Sequence, residues 1–299
     1  MKKRKRTIKR VALCVCAVLV LALFTSFGAA RHSSRTKDAA ASGADNADSA
    51  AISAGLNSAD PAALEEKKTE LAQNAASGEP IDRQNELQAA KRANADAVAW
   101  LVIPGADVDN AVMQSTDNAH YLQLDELGNY SEWGCYYADC RDNFTSRTDL
   151  VKNTVIYGHS QSDCDEVNGQ RFTKLHRFTD AAFVQENPYI FLSVDGEDMV
   201  FEIAAVFFTD VEFDYINPDP AALGGTTFFD TVSAANWLET SSGALTADDT
   251  ILTLSTCCRK YDVNNLGHHR LVVMARLLEN GAPRAALTVT QTQNPVMPK

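Results

Sequence analysis

Beyond its first ten residues the chain has little positive charge. Seven of its 27 Lys and Arg are Lys2, Lys3, Arg4, Lys5, Arg6, Lys9 and Arg10, which leaves 20 against 39 Asp and Glu. A body that acidic lacks the clustered cations that displace counterions from a phosphate backbone, so nucleic acid is excluded as a partner. The chain has no internal repeat and only one long apolar run, so it is not a multi-span membrane protein. With 45% apolar and 8% aromatic residues it is neither disordered overall nor collagen-like.

The single apolar run, Val11 to Phe27 extended by Gly28, Ala29 and Ala30, follows the basic decapeptide. It lies at the low end of what spans a hydrocarbon core and exceeds a signal-peptide apolar region of about 7–15 residues. We read residues 1–30 as a cytoplasmic basic tail and a single membrane anchor. The charge bias orients everything after Arg31 outside the cell. The small residues Gly28-Ala29-Ala30 leave a cleaved signal as the alternative, and either reading makes the body extracytoplasmic. Cys14 and Cys16 within the run are apolar filling.

Residues 31–80 read as an extracytoplasmic tether that is partly helical. Asp38 to Ala63 is almost all Ala, Ser, Asp, Asn and Gly, with too little apolar surface to offset the entropy of ordering. Ala62 to Ala76 and Ile81 to Ala97 have helical composition and are separated by Gly78-Glu79-Pro80. Ile81, Leu87 and Val98 would dock the second of them on the domain.

Residues 81–280 form the expected domain, about 200 residues and enough for one buried core. From Val98 the pattern becomes short apolar runs between turn residues. These are Val98–Ile103, Val108–Met113, Gly134–Ala138, Thr154–Tyr157, a hairpin of Tyr189–Val194 and Met199–Phe208 across Asp195-Gly196, Ile251–Thr256 and Leu271–Leu278. Helical spacing covers Gly169–Phe178 and Phe228–Glu239. Eight short, mostly non-alternating strands predict a mainly β fold, a closed or nearly closed barrel with inserted helices, because closure disposes of sheet edges. Residues 281–299 read as a loose tail.

Five cysteines lie outside the apolar run: Cys135, Cys140, Cys164, Cys257 and Cys258. An odd number in an oxidising compartment leaves at least one unpaired or bridged to another chain. Cys257 ends the apolar strand Ile251–Thr256, which would hold a thiol rigidly at a barrel rim, although a cysteine there can also be a small buried hydrophobe. A useful thiolate needs a base or a cation beside it. His159 stands directly past Thr154-Val155-Ile156-Tyr157-Gly158, and Arg270 opens the last strand. The bland readings are a turn histidine and a surface ion pair. Cys257-Cys258 with His268-His269 could be four zinc ligands, but adjacent residues on an extended strand point to opposite faces, so neither metal nor cofactor is expected.

Tyr157-Gly158-His159, then Thr253-Leu254-Ser255-Thr256-Cys257, then Arg270 before Leu271-Val272-Val273, resembles the pattern of the sortases, and specifically of class B sortases. Asn94 to Gly105, Asp117 to Leu122 and Gly134 to Arg141 are similar to further motifs of that class, in order, so the resemblance covers residues 82 to 278. Arg270 follows Cys257 by thirteen positions, longer than the class pattern, which places His268-His269 in an inserted loop from Arg259 to His269. Cys258 beside Cys257 is a second departure.

The resemblance implies an eight-stranded sortase-type barrel and a cysteine transpeptidase, single-pass in a bacterial cell membrane with the catalytic domain outside. It implies Cys257 as nucleophile, His159 as general acid and base, and Arg270 as stabiliser of substrate and oxyanion, with no cofactor or metal. The partners would be secreted proteins bearing a C-terminal sorting motif, and a peptidoglycan-precursor or pilin amine as acceptor. Gly225 to Glu239 resembles the helical insertion with which class B enzymes read that motif. The alternatives are an extracellular cysteine protease or peptidoglycan peptidase, in which water resolves the thioester, and a non-catalytic surface binding module.

Overall fold

The computed structural model describes residues 61–163, 169–223, 227–262, 267–281, 284 and 286–297, all within the unit Ser42–Lys299. The apolar run Val11 to Phe27, most of the tether, Cys164 and Gly225 lie outside the described residues. Among the described residues no helix is long and apolar enough to cross a membrane.

Helices α1 (Pro61–Ser77) and α2 (Gln84–Ala93) precede strand β1 (Ala97–Ile103). Then come β2 (Val108–Met113), β3 (Tyr136–Ala138) and β4 (Asn153–Tyr157), followed by helix α3 (Ala181–Glu186), β5 (Tyr189–Val194) and β6 (Glu197–Asp210). Helix α4 (Thr227–Ala235), β7 (Leu238–Thr240), β8 (Ile251–Cys257), β9 (His269–Leu277) and β10 (Val289–Gln291) complete the order.

Eight strands close into a barrel in the order β1-β2-β3-β4-β8-β9-β6-β5. The pairs β2–β3 and β4–β8 are parallel, and the others are antiparallel. The strands are buried on both faces, which is why their sequences read as continuous apolar runs. Side chains from all eight, among them Leu101, Val112, Ala138, Ile156, Ile190, Phe201, Leu254 and Val273, form the interior. Outside, Ile81, Leu87 and Ala90 pack on one flank, and Phe228, Val232 and Ala235 of α4 cover β6, β8 and β9 on another.

The structure corrects several expectations. The helical spacing expected over Gly169–Phe178 takes the form of a 3-10 helix, Phe172–Thr179. Phe172, Leu175 and Phe178 recur every third residue, the period of that helix, and all three plug the barrel interior. Helix α4 stops at Ala235, and the rest of the expected helix to Glu239 becomes β7, which pairs with β10. The segment expected to be a loose tail is therefore tied down. Val289 is buried, Thr292 N–H donates to Trp237 O (2.8 Å), and Val296 N–H donates to Ala234 O (2.9 Å). Val98 lies on β1 and packs toward the interior, so Ile81 and Leu87 dock the helical extension without it. Strand β9 begins two residues before Leu271, which puts His269 on the strand with its ring 3.8 Å from the Asp210 carboxylate.

Candidate active site

The ladder that joins β4, β8 and β9 gathers the three residues singled out from the sequence. Strands β4 and β8 run parallel with Tyr157 opposite Ser255. Two residues further along each strand come His159 and Cys257. The strand ends stay together through Gly158 N–H to Ser255 O (3.3 Å) and Thr256 Oγ1 to Gly158 O (2.8 Å). On the other side of β8, Cys257 is directly opposite Arg270. Opposite residues of an antiparallel pair share a face and hold their Cβ atoms about 4.5–5.5 Å apart. That face is the barrel exterior, because Ser255 and Val272 have the same parity and Val272 packs beneath α4.

Each side chain has a defined support. The His159 ring donates a hydrogen bond from Nε2 to Leu122 O (2.8 Å) and meets the Trp133 ring edge-on at 6.4 Å. Gly158 lets the strand end lie against the plug: a Cβ there would sit 2.7 Å from the Phe172 ring, so the glycine is required by close approach and not by a turn. Arg270 Nη1 donates to the carbonyls of Gly267 (2.5 Å) and His269 (3.0 Å), which fixes the guanidinium against the loop after the cysteine.

Sequence reasoning missed the aromatic floor and wall around these residues. Tyr137 stacks on Tyr157 (centroids 5.2 Å, planes 30° apart), and the Tyr215 hydroxyl lies 2.9 Å from Ser255 Oγ. Tyr137 and Tyr215 both lie close enough to Cys257 and Arg270 to feel their charges. Burial, then the neighbouring Asp139, pushes the Tyr157 hydroxyl pKa far up, so it stays a donor, to Asp139 (2.8 Å). Burial works against the Asp139 charge, but donors from Arg141 and Tyr157 hold its pKa below the usual carboxylate range, and Asn118 donates to the same carboxylate (2.9 Å). Arg141 also donates to Ile216 O (2.9 Å), and Asn153 Nδ2 donates to Tyr215 O (2.9 Å) and Asn217 O (2.8 Å). The segment carrying Tyr215 is thereby fastened to the barrel. The available signal was parity: Tyr157 and Ser255 share the face of Cys257.

The four described cysteines are free thiols; Cys135 and Cys258 are buried, Cys257 is half-buried and Cys140 exposed. Cys258 points into the barrel, opposite in direction to Cys257, as alternation along a strand requires. Among the described residues no group of His, Cys, Asp and Glu is arranged to hold a metal ion.

Comparison with known proteins adds the family. A sortase domain model matches residues 101–278. Sortase B of Listeria monocytogenes is 29% identical over 202 residues, covering 65% of this chain and 74% of that protein. Sortase B of Staphylococcus aureus is 24% identical over 195 residues, covering 65% and 75%. The solved S. aureus sortase B–substrate complex superposes with a TM-score of 0.56 at 22% identity, over 73% of this chain and 94% of that one. Sortase B of Clostridium perfringens does so with 0.52 at 23% identity, over 64% and 99%. The chain belongs to the sortase family. Within it, it is a class B sortase, a cysteine transpeptidase on an eight-stranded barrel.

Proposed function

We propose that Cys257 is the nucleophile of this transpeptidase, His159 its general acid and base, and Arg270 the group that holds substrate and oxyanion. The observation that carries the reading is the convergence of a thiol, an imidazole and a guanidinium on three adjacent strand ends, with Cys257 and Arg270 in register. The Cys257 thiolate attacks a backbone carbonyl of the substrate, and the carbonyl electron pair moves to oxygen. Arg270 stabilises that developing charge, where a preorganised cation is worth several kcal/mol in a dry cleft. Collapse forms a thioester and breaks the peptide bond, with His159 giving its proton to the departing amine. An incoming amine then loses a proton to His159, attacks the thioester and releases the thiolate.

The substrates are secreted proteins carrying a C-terminal sorting motif, and the acceptor is an amine of a peptidoglycan precursor or a pilin. The anchor of residues 11–30 holds the enzyme at the outer face of the membrane, where both meet. S. aureus sortase B, which shares this fold, is solved in complex with a substrate, which supports a substrate-binding role for the fold. The test is incubation of the full-length protein with a randomised peptide library and triglycine, with products sequenced by mass spectrometry. Joined products sharing one motif support the proposal. Cleaved peptides without triglycine would instead make water the acceptor.

A further inference from the structure

The turn that follows Cys257 is gripped by two residues from the segment after His159, and neither has a place in the mechanism above. Asp163 Oδ2 accepts the backbone N–H of Arg259 (2.6 Å) and that of Lys260, and lies 3.7 Å from Cys258 Sγ. Its other oxygen is 3.8 Å from the Arg259 guanidinium and 3.9 Å from His176 Nε2. The His176 ring is buried within the 3-10 plug, close enough to the Cys257 backbone to sense it, with Nε2 3.5 Å from Ser160 Oγ, and burial lowers its pKa. A third hold is aromatic: the Lys260 ammonium sits 5.2 Å from the Tyr261 ring centroid, 5.5 Å from Trp237 and 5.9 Å from Phe208.

Apart from the contacts that His176 makes with Asp163 and Ser160, these contacts fall on residues 257 to 260, where β8 ends and the chain must turn back toward Arg270. A strand end with no such anchor frays, and the direction of its last side chain drifts with it. Cys257 is that last residue. Orientation is costly to lose: a displacement of about 1 Å at a reacting atom can reduce a rate on the order of 10²-fold. The grip also separates the two adjacent thiols. Cys258 is held inward, where burial, then the Asp163 carboxylate, pushes its pKa up to about 11.

We infer that Asp163 and His176 are positioning residues of this enzyme, which fix the turn after the nucleophile and so aim Cys257 at the substrate carbonyl. This rests on the reading of Cys257 as nucleophile. The role asks two things of Asp163, an acceptor for two backbone N–H groups and no contact with substrate. Asparagine can present a carbonyl oxygen in the same place, whereas alanine cannot.

The experiment measures steady-state transfer of a fluorogenic peptide, carrying a motif selected from the randomised library, to triglycine by the full-length enzyme. Asp163→Ala is expected to melt as a folded protein and to lose kcat by about 10- to 100-fold with KM within about twofold. Asp163→Asn is expected to regain most of the lost kcat. His176→Phe, which keeps volume but removes the ring nitrogens, should also lower kcat, and His176→Gln should partly restore it. Rates for Asp163→Ala within twofold of wild type, equal losses in the Ala and Asn variants, or a loss confined to KM would overturn the inference. Should Asp163→Ala fail to fold, the His176 pair decides, and a fully active His176→Phe overturns it. Cys257→Ala is assayed alongside. If that variant is active, the nucleophile is misassigned; if it is dead while Asp163→Ala is normal, only the positioning role falls.

Discussion

Cys257 and Arg270 face each other across the β8–β9 ladder, the last paired residue of one strand and the second of the other. Twelve residues, 258–269, separate them in sequence, and the two still pair in register, so that extra length does not disturb the ladder. The first prediction concerns that guanidinium. Lys would keep the charge but not the planar fork that bonds an oxyanion while contacting a second acceptor. Arg270→Lys is expected to fold, with kcat/KM reduced on the order of 10²-fold or more, and Arg270→Ala lower still. Steady-state transfer and thermal melts check it. Near wild-type rates for the Lys variant would remove the oxyanion role and make Arg259 the next residue to test.

The vicinal cysteines give a second prediction. Cys257→Ala should abolish cleavage and transfer while leaving the fold intact. Cys258→Ala should keep most activity, because its thiol points into the barrel, away from Cys257, with Asp163 as its polar neighbour; removing it costs about 1 kcal/mol of stability. Activity assays with melts separate the two. A dead Cys258 variant beside an active Cys257 variant would shift the nucleophile by one residue.

A third prediction comes from Asp142, buried at 8% exposure beside the start of β4. Burial pushes its carboxyl up to about 8, against the hydrogen bond that Oδ2 receives from Val155 N–H (2.8 Å), and its Oδ1 has no partner. A carboxyl with a folded pKa above its unfolded value near 3.9 binds more protons in the native state between those two values. Stability must therefore fall as pH rises from about 4 to 8. Asp142→Asn keeps the acceptor without the charge, so its melting temperature should exceed wild type by several degrees at pH 8 and by little at pH 4. Thermal melts across that range measure the difference. A gap that does not change with pH would contradict it.

Attachment supplies a fourth. With Val11 to Phe27 as an anchor, the full-length protein should sediment with membranes, and external protease should release a soluble body by cutting within residues 38–63, a stretch too polar to bury its backbone. Fractionation and N-terminal sequencing of the released body test it. A secreted form beginning near Arg31 would favour a cleaved signal.

How much of this was legible in the sequence depended on whether the signal was local. The barrel strands were readable because each is buried on both faces and punctuated by turn residues, as at Pro104-Gly105 and Asp195-Gly196. The placement of Cys257, His159 and Arg270 at or just past three strand ends was readable because apolar strand runs stand directly before or after each of them. Strands β7 and β10 were not, since three residues such as Leu238-Glu239-Thr240 carry no periodicity and become a strand only against a partner some fifty residues away. The plug was legible as helical but not its period, because Phe172, Leu175 and Phe178 fit either helical period until the barrel interior selects one. Asp163 lay unseen in a polar loop. Its meaning is the set of backbone N–H groups it meets from residues nearly a hundred positions later.

The account turns on a thioester at one sulfur that an amine resolves. The direct measurement is intact-mass and peptide mapping of the full-length enzyme mixed with a motif peptide, first without and then with triglycine. The account predicts an acyl adduct on Cys257 that builds up without the amine and is discharged faster with it, into a peptide–triglycine product. An adduct on Cys258, no adduct at all, or a discharge rate and product that triglycine leaves unchanged would contradict it.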